Sequence, residues 1–220
     1  MERLLGTLSF AVFMVVEGAL LFGCAGRWDL PMFWAYLGVW AACGLIGIFV
    51  AAPGLIKERV RPGPGGKDYA TAIIVTPLWV CQLVVAGLDI GRFHWSDSVP
   101  FAVQVSGLLA MAAAVAIVTW AVAVNRFFSS VIRIQTDRGH HLVTNGPYRY
   151  VRHPAYATVP YLFAGGGVAL GSWLAALIGL LLVLPILRRT AQEDRVLREQ
   201  LEGYSAYAEK VRWRVLPGIW

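Results

Sequence analysis

Charge is scarce in this sequence: Asp, Glu, Lys and Arg make up 15% of its 220 residues, where a soluble domain carries about 25%. Cysteine is scarcer still. Cys24, Cys43 and Cys81 each fall inside or at the end of an apolar run, so neither a disulfide framework nor a cysteine-based metal site is indicated. Cys24 closes Leu21-Phe22-Gly23-Cys24, a loose match to a bacterial lipoprotein cleavage site. Phe22 is bulky for such a site and the preceding apolar run is long for a signal peptide, so the segment reads as a retained span. No Gly-x-Gly-x-x-Gly follows a predicted strand, which leaves no soluble-type nucleotide fold. The net charge of +6 does not indicate nucleic acid, because the basic residues sit in short loops between apolar runs.

Hydrophobic residues are what the chain has in excess, at 58% against about 45–50% in globular domains. Four runs, Leu4 to Ala25, Phe33 to Ala52, Tyr69 to Leu88 and Val99 to Val124, each have about the 20 residues of a bilayer crossing. A fifth run, Ala155 to Leu187, would extend ~50 Å as one helix, too long for a ~30 Å crossing. Gly165-Gly166-Gly167 and Gly171-Ser172 interrupt it, which predicts a helical hairpin over 155–187. Arg188 to Tyr207 is charged, with Val196, Leu197, Leu201 and Tyr204 at helical spacing. That pattern predicts an amphipathic helix at or beyond the membrane surface. Arg212-Trp213-Arg214 reads as an interface anchor.

The expected fold class is therefore an all-α integral membrane protein. Residues 1–124 form four long transmembrane helices, and residues 125–220 form a C-terminal region with the hairpin and a cytoplasmic amphipathic helix. With the N-terminus in the cytoplasm, 17 of the 19 Lys and Arg lie on the cytoplasmic side, and only Arg27 and Arg92 face out. The asymmetry sets the expected orientation. Glu17 lies within the first run, where an ionisable residue is either functional or a buried structural hydrogen-bonding group.

Two polar stretches flank the hairpin, Gly139 to Tyr156 and Arg188 to Asp194. Folding the hairpin brings them together on the cytoplasmic side. A basic loop contacting lipid headgroups is one reading of them. The spacing of His140, His141 and His153 matches no common zinc pattern, so no metal is expected.

The string His140-x-Leu142-Val143-Thr144-x-Gly146-Pro147-Tyr148-x-x-Val151-Arg152-His153-Pro154-x-Tyr156, followed by Arg189-Thr190, Glu193-Asp194, Leu197, Tyr204, Tyr207 and Leu216-Pro217, resembles the isoprenylcysteine carboxyl methyltransferase family. The wider group includes phospholipid N-methyltransferases and many bacterial members. The resemblance covers roughly residues 125–220. It implies S-adenosylmethionine as cofactor, a lipophilic small-molecule or lipid-linked acceptor, a carboxylate foremost, and an active site facing the cytoplasm of a bacterial inner membrane.

The roles it implies attach to matching residues. His140, Leu142 and Val143 would border the cofactor, Gly146-Pro147-Tyr148 would turn the chain around it, and Arg152, His153 and Tyr156 would hold its polar parts. Arg152 suits the cofactor carboxylate, since a guanidinium pairs bidentately. Glu193 would line the cofactor pocket, Arg189 would orient the acceptor, and Asp194, where the family pattern has a second Glu, would support from the side. Membrane sterol and fatty-acyl reductases carry a similar Arg-His-Pro-x-Tyr segment and use a nicotinamide cofactor. They are the alternative enzyme class, and a non-enzymatic membrane scaffold is the third reading.

Overall fold

In hydrocarbon every backbone amide must be paired within its own segment, so long apolar runs become helices. The computed structural model, which describes residues 1–66 and 68–220, is helical throughout, with no β-strand among the described residues. The helices are α1 (Glu2–Ala25), α2 (Pro31–Val50), α3 (Leu55–Val60), α4 (Tyr69–Leu88), α5 (Phe101–Val124), α6 (Pro154–Ala157), α7 (Val159–Ala169), α8 (Trp173–Leu181), α9 (Val183–Gln200) and α10 (Tyr204–Lys210). Lys67, one of the basic residues in the orientation count, lies outside the described residues.

Among the described residues, five helical stretches are long and apolar enough to cross a membrane: Glu2–Ala25, Pro31–Val50, Ala70–Phe93, Phe101–Val124 and Trp173–Gln200. The first four correspond to the four expected runs. Their outward faces carry large apolar side chains, among them Val12, Trp34, Phe49, Ile73 and Leu109, the residues that lipid rather than protein would cover.

The fifth stretch differs from expectation. The hairpin turns at Leu170–Ser172, but its second arm does not stop at Leu187. It continues as α9 to Gln200, so the expected separate amphipathic helix is the end of a helix that begins at Trp173. The only interruption is Leu182. Pro185 explains that break, because it has no N–H to give Leu181 and its ring crowds that carbonyl.

Gly165–Gly167 do not break the hairpin; they lie inside α7. A Cβ on Gly167 would lie 2.3 Å from Ala176 N, and one on Gly179 would lie 2.6 Å from the carbonyl carbon of Phe163. The pairing of 167 with 176 and 163 with 179 shows the two arms running antiparallel in backbone contact.

Polar ties sort the loops into two ends of the bundle. At one end Glu2 accepts from Gly54 N (3.0 Å), Arg133 forks onto Glu58 (2.9 and 2.8 Å), and Arg189 donates to Asp68 (2.7 Å). At the other end Arg92 donates to Cys24 O (2.6 Å), and Asp89 accepts from Ser172 Oγ and from Ser96 N (2.8 Å). Asp68 and Asp89 bracket α4, while Ser172 and Arg189 bracket most of the hairpin's second arm. That arm is therefore held against α4 at both ends. All the basic-rich loops gather at the end holding Asp68 and Arg189.

Glu17 is fully buried, accepting from Tyr36 OH at 3.4 Å. Tyr36 belongs to the apolar core with Leu21, Phe33, Leu83 and Met111.

Candidate active site

The segment 125–154 cannot form one helix, because Gly139, Gly146, Pro147 and Pro154 interrupt it. It wraps instead across the basic end of the bundle. Gly146 adopts a left-handed φ of 57°, which a side chain would strain. Pro147 follows it at the start of a short 3-10 turn, Gly146–Arg149. That turn sends Tyr148 inward, where its hydroxyl accepts from Asn125 Nδ2 (3.0 Å) and its carbonyl from Tyr207 OH (2.7 Å).

Behind this turn is a recess walled by residues 125–143, by 148–156, by α9 and by α10. His140, Leu142, Val143, Tyr148, Arg152, His153, Tyr156 and Glu193 all line it. These eight of the ten expected cofactor-binding residues, drawn from positions 140 to 193, meet in one place. Gly146 and Pro147 lie outside the lining and shape the turn. Arg189 and Asp194 sit behind the lining, on the far side of Tyr156 and Arg152.

Asp194 is fully buried and surrounded by donors. It accepts from Arg152 Nε (2.8 Å) and Nη2 (3.2 Å), Tyr204 OH (2.9 Å), Arg214 Nε (3.0 Å) and Arg198 Nε (3.2 Å). His153 Nε2 stands 3.4 Å from the same carboxylate. Arg152 spends its remaining reach on the tail, with Nη1 donating to Val211 O and Arg212 O (2.8 Å each). One N–H of Arg152 is left over, too few for a bidentate grip on a cofactor carboxylate.

The tail itself is drawn into this knot. Arg152 N donates to Trp213 O (3.0 Å) and His153 N to Arg214 O (2.8 Å). The Arg212–Arg214 segment, expected as an interface anchor, therefore packs on the site.

Glu193 is the carboxylate left open to the recess. It accepts from Tyr156 OH (2.7 Å), and that hydroxyl in turn accepts from Arg189 Nε (2.7 Å). Arg189 and Glu193 are four apart and share a helix face, with Tyr156 bridging them. The other Arg189 nitrogens reach Asp68 Oδ2 (2.7 Å) and Ser130 O (2.9 Å). Arg189, expected to orient an acceptor, is thus buried and bonded to Tyr156, Asp68 and Ser130.

His140 faces the recess with a defined proton arrangement. Its Nδ1 accepts from Gln135 N (3.2 Å), which leaves Nε2 as the protonated nitrogen. Burial, assisted by the charges of His141, Arg133 and Arg138, lowers its pKa to about 4. The imidazole is neutral at physiological pH and offers one N–H donor.

Sequence reasoning missed several lining residues: Asn125, Phe127, Gln135, His141, Tyr204 and Tyr207. Residues 125–135 carried no motif. Tyr204 and Tyr207 stood in the pattern, and their helical spacing after Leu201 was the available signal; all three pack with Leu142, Leu197 and Ile134. That packing closes one side of the recess. The enclosed space is only about 90 Å³, below the roughly 300–1,000 Å³ of small-molecule sites. A ligand of nucleoside size does not fit this space as it stands. Among the described residues, no group of three or more His, Cys, Asp or Glu could hold a metal ion.

Residues 105–199 match the model of the isoprenylcysteine carboxyl methyltransferase (ICMT) family. The matched segment runs from α5 through the recess to the end of α9. No curated protein matches the chain.

Proposed function

We propose that this chain, whose C-terminal half carries the signature of the isoprenylcysteine carboxyl methyltransferase family, transfers a methyl group from S-adenosylmethionine to a lipophilic carboxylate at the cytoplasmic face of a bacterial inner membrane. The observation that carries this reading is the single recess into which His140, Tyr148, Tyr156 and Glu193 converge. Its donor set fits the cofactor. Glu193 suits an ammonium or ribose hydroxyls, His140 Nε2–H suits a neutral acceptor atom, and the tyrosine and aliphatic walls suit an adenine ring. Bound there, S-adenosylmethionine would supply an electrophilic methyl carbon on a sulfonium.

The protein's own work is then placement. An ionised carboxylate acceptor has no proton to lose, so no side chain has to act as a base. Holding the partners in line can supply ~7–11 kcal/mol of the barrier. Arg189 fixes Tyr156, Tyr156 fixes Glu193, and the Asp194 knot fixes the strand of chain bearing Arg152 and His153.

Isothermal titration tests the cofactor. Glu193→Gln keeps the shape but removes the charge, and it should weaken S-adenosylmethionine binding about 10- to 100-fold, the worth of one charge-assisted hydrogen bond. Unaltered affinity in a folded variant would remove Glu193 from the cofactor contact. Tight NADPH binding with no response to S-adenosylmethionine would refute the methyltransferase altogether.

Orientation is tested separately, in a background with the three native cysteines replaced. Ser98→Cys should react with an impermeant maleimide added to intact cells, and Thr136→Cys only after lysis. The reverse pattern would put the recess on the outer face.

A further inference from the structure

Arg59, near the end of α3, lines one cavity and stacks on a residue that lines another. One is the recess described above, which Phe128 lines. The other, about 360 Å³, lies between α1, α2, α3 and α5, walled by apolar residues such as Phe10, Ile48, Ile56 and Val118. That volume is within the range of small-molecule sites. Arg59 is its one charged lining residue among the described residues. The roomier groove beside Trp120 and Tyr161, about 530 Å³, has none.

The Arg59 guanidinium has no carboxylate within ion-pair distance among the described residues. Its neighbour Glu58 is taken by Arg133. Arg59 stands over the Phe128 ring, 5.1 Å from its centroid. Its carbonyl accepts from Ser130 Oγ (3.1 Å), and Ser130 O accepts from Arg189. The rim of the apolar cavity is thus joined through Ser130, Arg189 and Tyr156 to Glu193.

Gly47 lines the same cavity from the interior of α2. A Cβ there would meet nothing within 4 Å, although a mid-helix glycine costs about 0.5–1 kcal/mol relative to alanine. The missing side chain leaves space that the fold does not fill.

We propose that this cavity takes a long-chain monocarboxylate as the methyl acceptor, its carboxylate on Arg59 and its chain between α1, α2 and α5. A planar guanidinium fork matches a carboxylate, and the apolar walls match the chain. This rests on the methyltransferase reading above. It also places the carboxylate-binding Arg59 in α3, outside the family-matched residues 105–199, which supply the α5 wall of the cavity.

The test uses the full-length protein in phosphatidylcholine nanodiscs with a photoreactive hexadecanoic acid, its methyl ester as control, and mapping of labelled peptides. The acid should label α2 near Gly47 and α5 near Val118. Arg59→Gln should cut that labelling about tenfold or more at low probe concentration, and Arg59→Lys should restore part of it. The methyl ester should label wild type no better than the acid labels Arg59→Gln. Gly47→Phe should block both probes.

Titration with S-adenosylmethionine in the same nanodiscs should be unchanged in these variants, which also shows that they are folded. Acid labelling that ignores Arg59 while the cofactor still binds overturns the proposal and leaves the methyltransferase reading standing. Arg59-dependent labelling in a protein that binds no S-adenosylmethionine sinks that reading, and the acceptor role with it. Competition by phosphatidic acid stronger than by hexadecanoic acid would give the cavity to a lipid headgroup phosphate and also overturn the proposal.

Discussion

Asp194→Asn should cost the fold about 3–5 kcal/mol, the usual result of removing one partner from a buried ionic network. The side chain keeps its size but loses its charge, and one acceptor oxygen becomes an N–H donor. Arg152, itself buried, loses its two-pronged ion pair, and Arg214 loses its carboxylate contact. Arg198 is 41% exposed at its side chain, and its share is small. In a protein of this size the loss corresponds to a fall in Tm on the order of 10 °C. Cofactor binding should fall with it, because Arg152 and His153 stand in the recess wall. Thermal melting in detergent measures the first effect and titration the second. Asp194→Glu retains the charge and should lose less. An Asn variant that melts with wild type would mean that the guanidiniums do not depend on this carboxylate.

Gly167→Val should destabilise by about 3 kcal/mol, the upper part of the range for overpacking. The new Cβ would fall 2.3 Å from Ala176 N and 2.6 Å from Ala175 C and Ala176 Cα. These are backbone atoms, so no rotamer change relieves the clash. Only separating α7 from α8 can do so. That separation pulls His153 and Tyr156, at the foot of one arm, away from Glu193 and Asp194 on the other. Methyl transfer should therefore be lost even in the fraction that folds. Gly38→Ala is the matched control, since a Cβ at Gly38 meets nothing within 4 Å; it should be neutral or stabilise by up to about 1 kcal/mol through helix propensity. Equal behaviour of the two variants in a denaturant titration would show that close approach is not what Gly167 serves.

The spans could be read in the sequence because lipid imposes a length: about 20 apolar residues cross, and the runs at 4–25, 33–52, 69–88 and 99–124 met it. The hairpin turn was placed by Gly171-Ser172. The continuity from Trp173 to Gln200 was not read, since polarity changes at Arg188 while the helix does not, and periodicity shows which face is apolar rather than where a helix ends. The recess came from a resemblance. Nothing in spacing alone joins His140 to Glu193, 53 residues on. The Asp194 knot was hidden for the same reason, drawing its donors from positions 152, 198, 204 and 214. Only the fold shows that Arg152, Arg198 and Arg214 share one carboxylate.

The ties at Asp68 and Asp89 act as pins set at both ends of one helix pair. A slip of α9 along α4 by one turn, about 5.4 Å, would have to break Arg189–Asp68 and Ser172–Asp89 together. Piston motion is thereby closed to this helix, and the bend at Leu182 lies on the membrane side of Arg189, where it cannot free Glu193. The depth of Glu193 relative to α4 is then a property of the chain, not of the thickness of the lipid around it. Any widening of the recess is left to the opposite wall, where Leu142 packs with Leu201 and Tyr204. Substitutions that loosen Leu142 should therefore alter how fast a ligand enters the recess without altering where Glu193 stands.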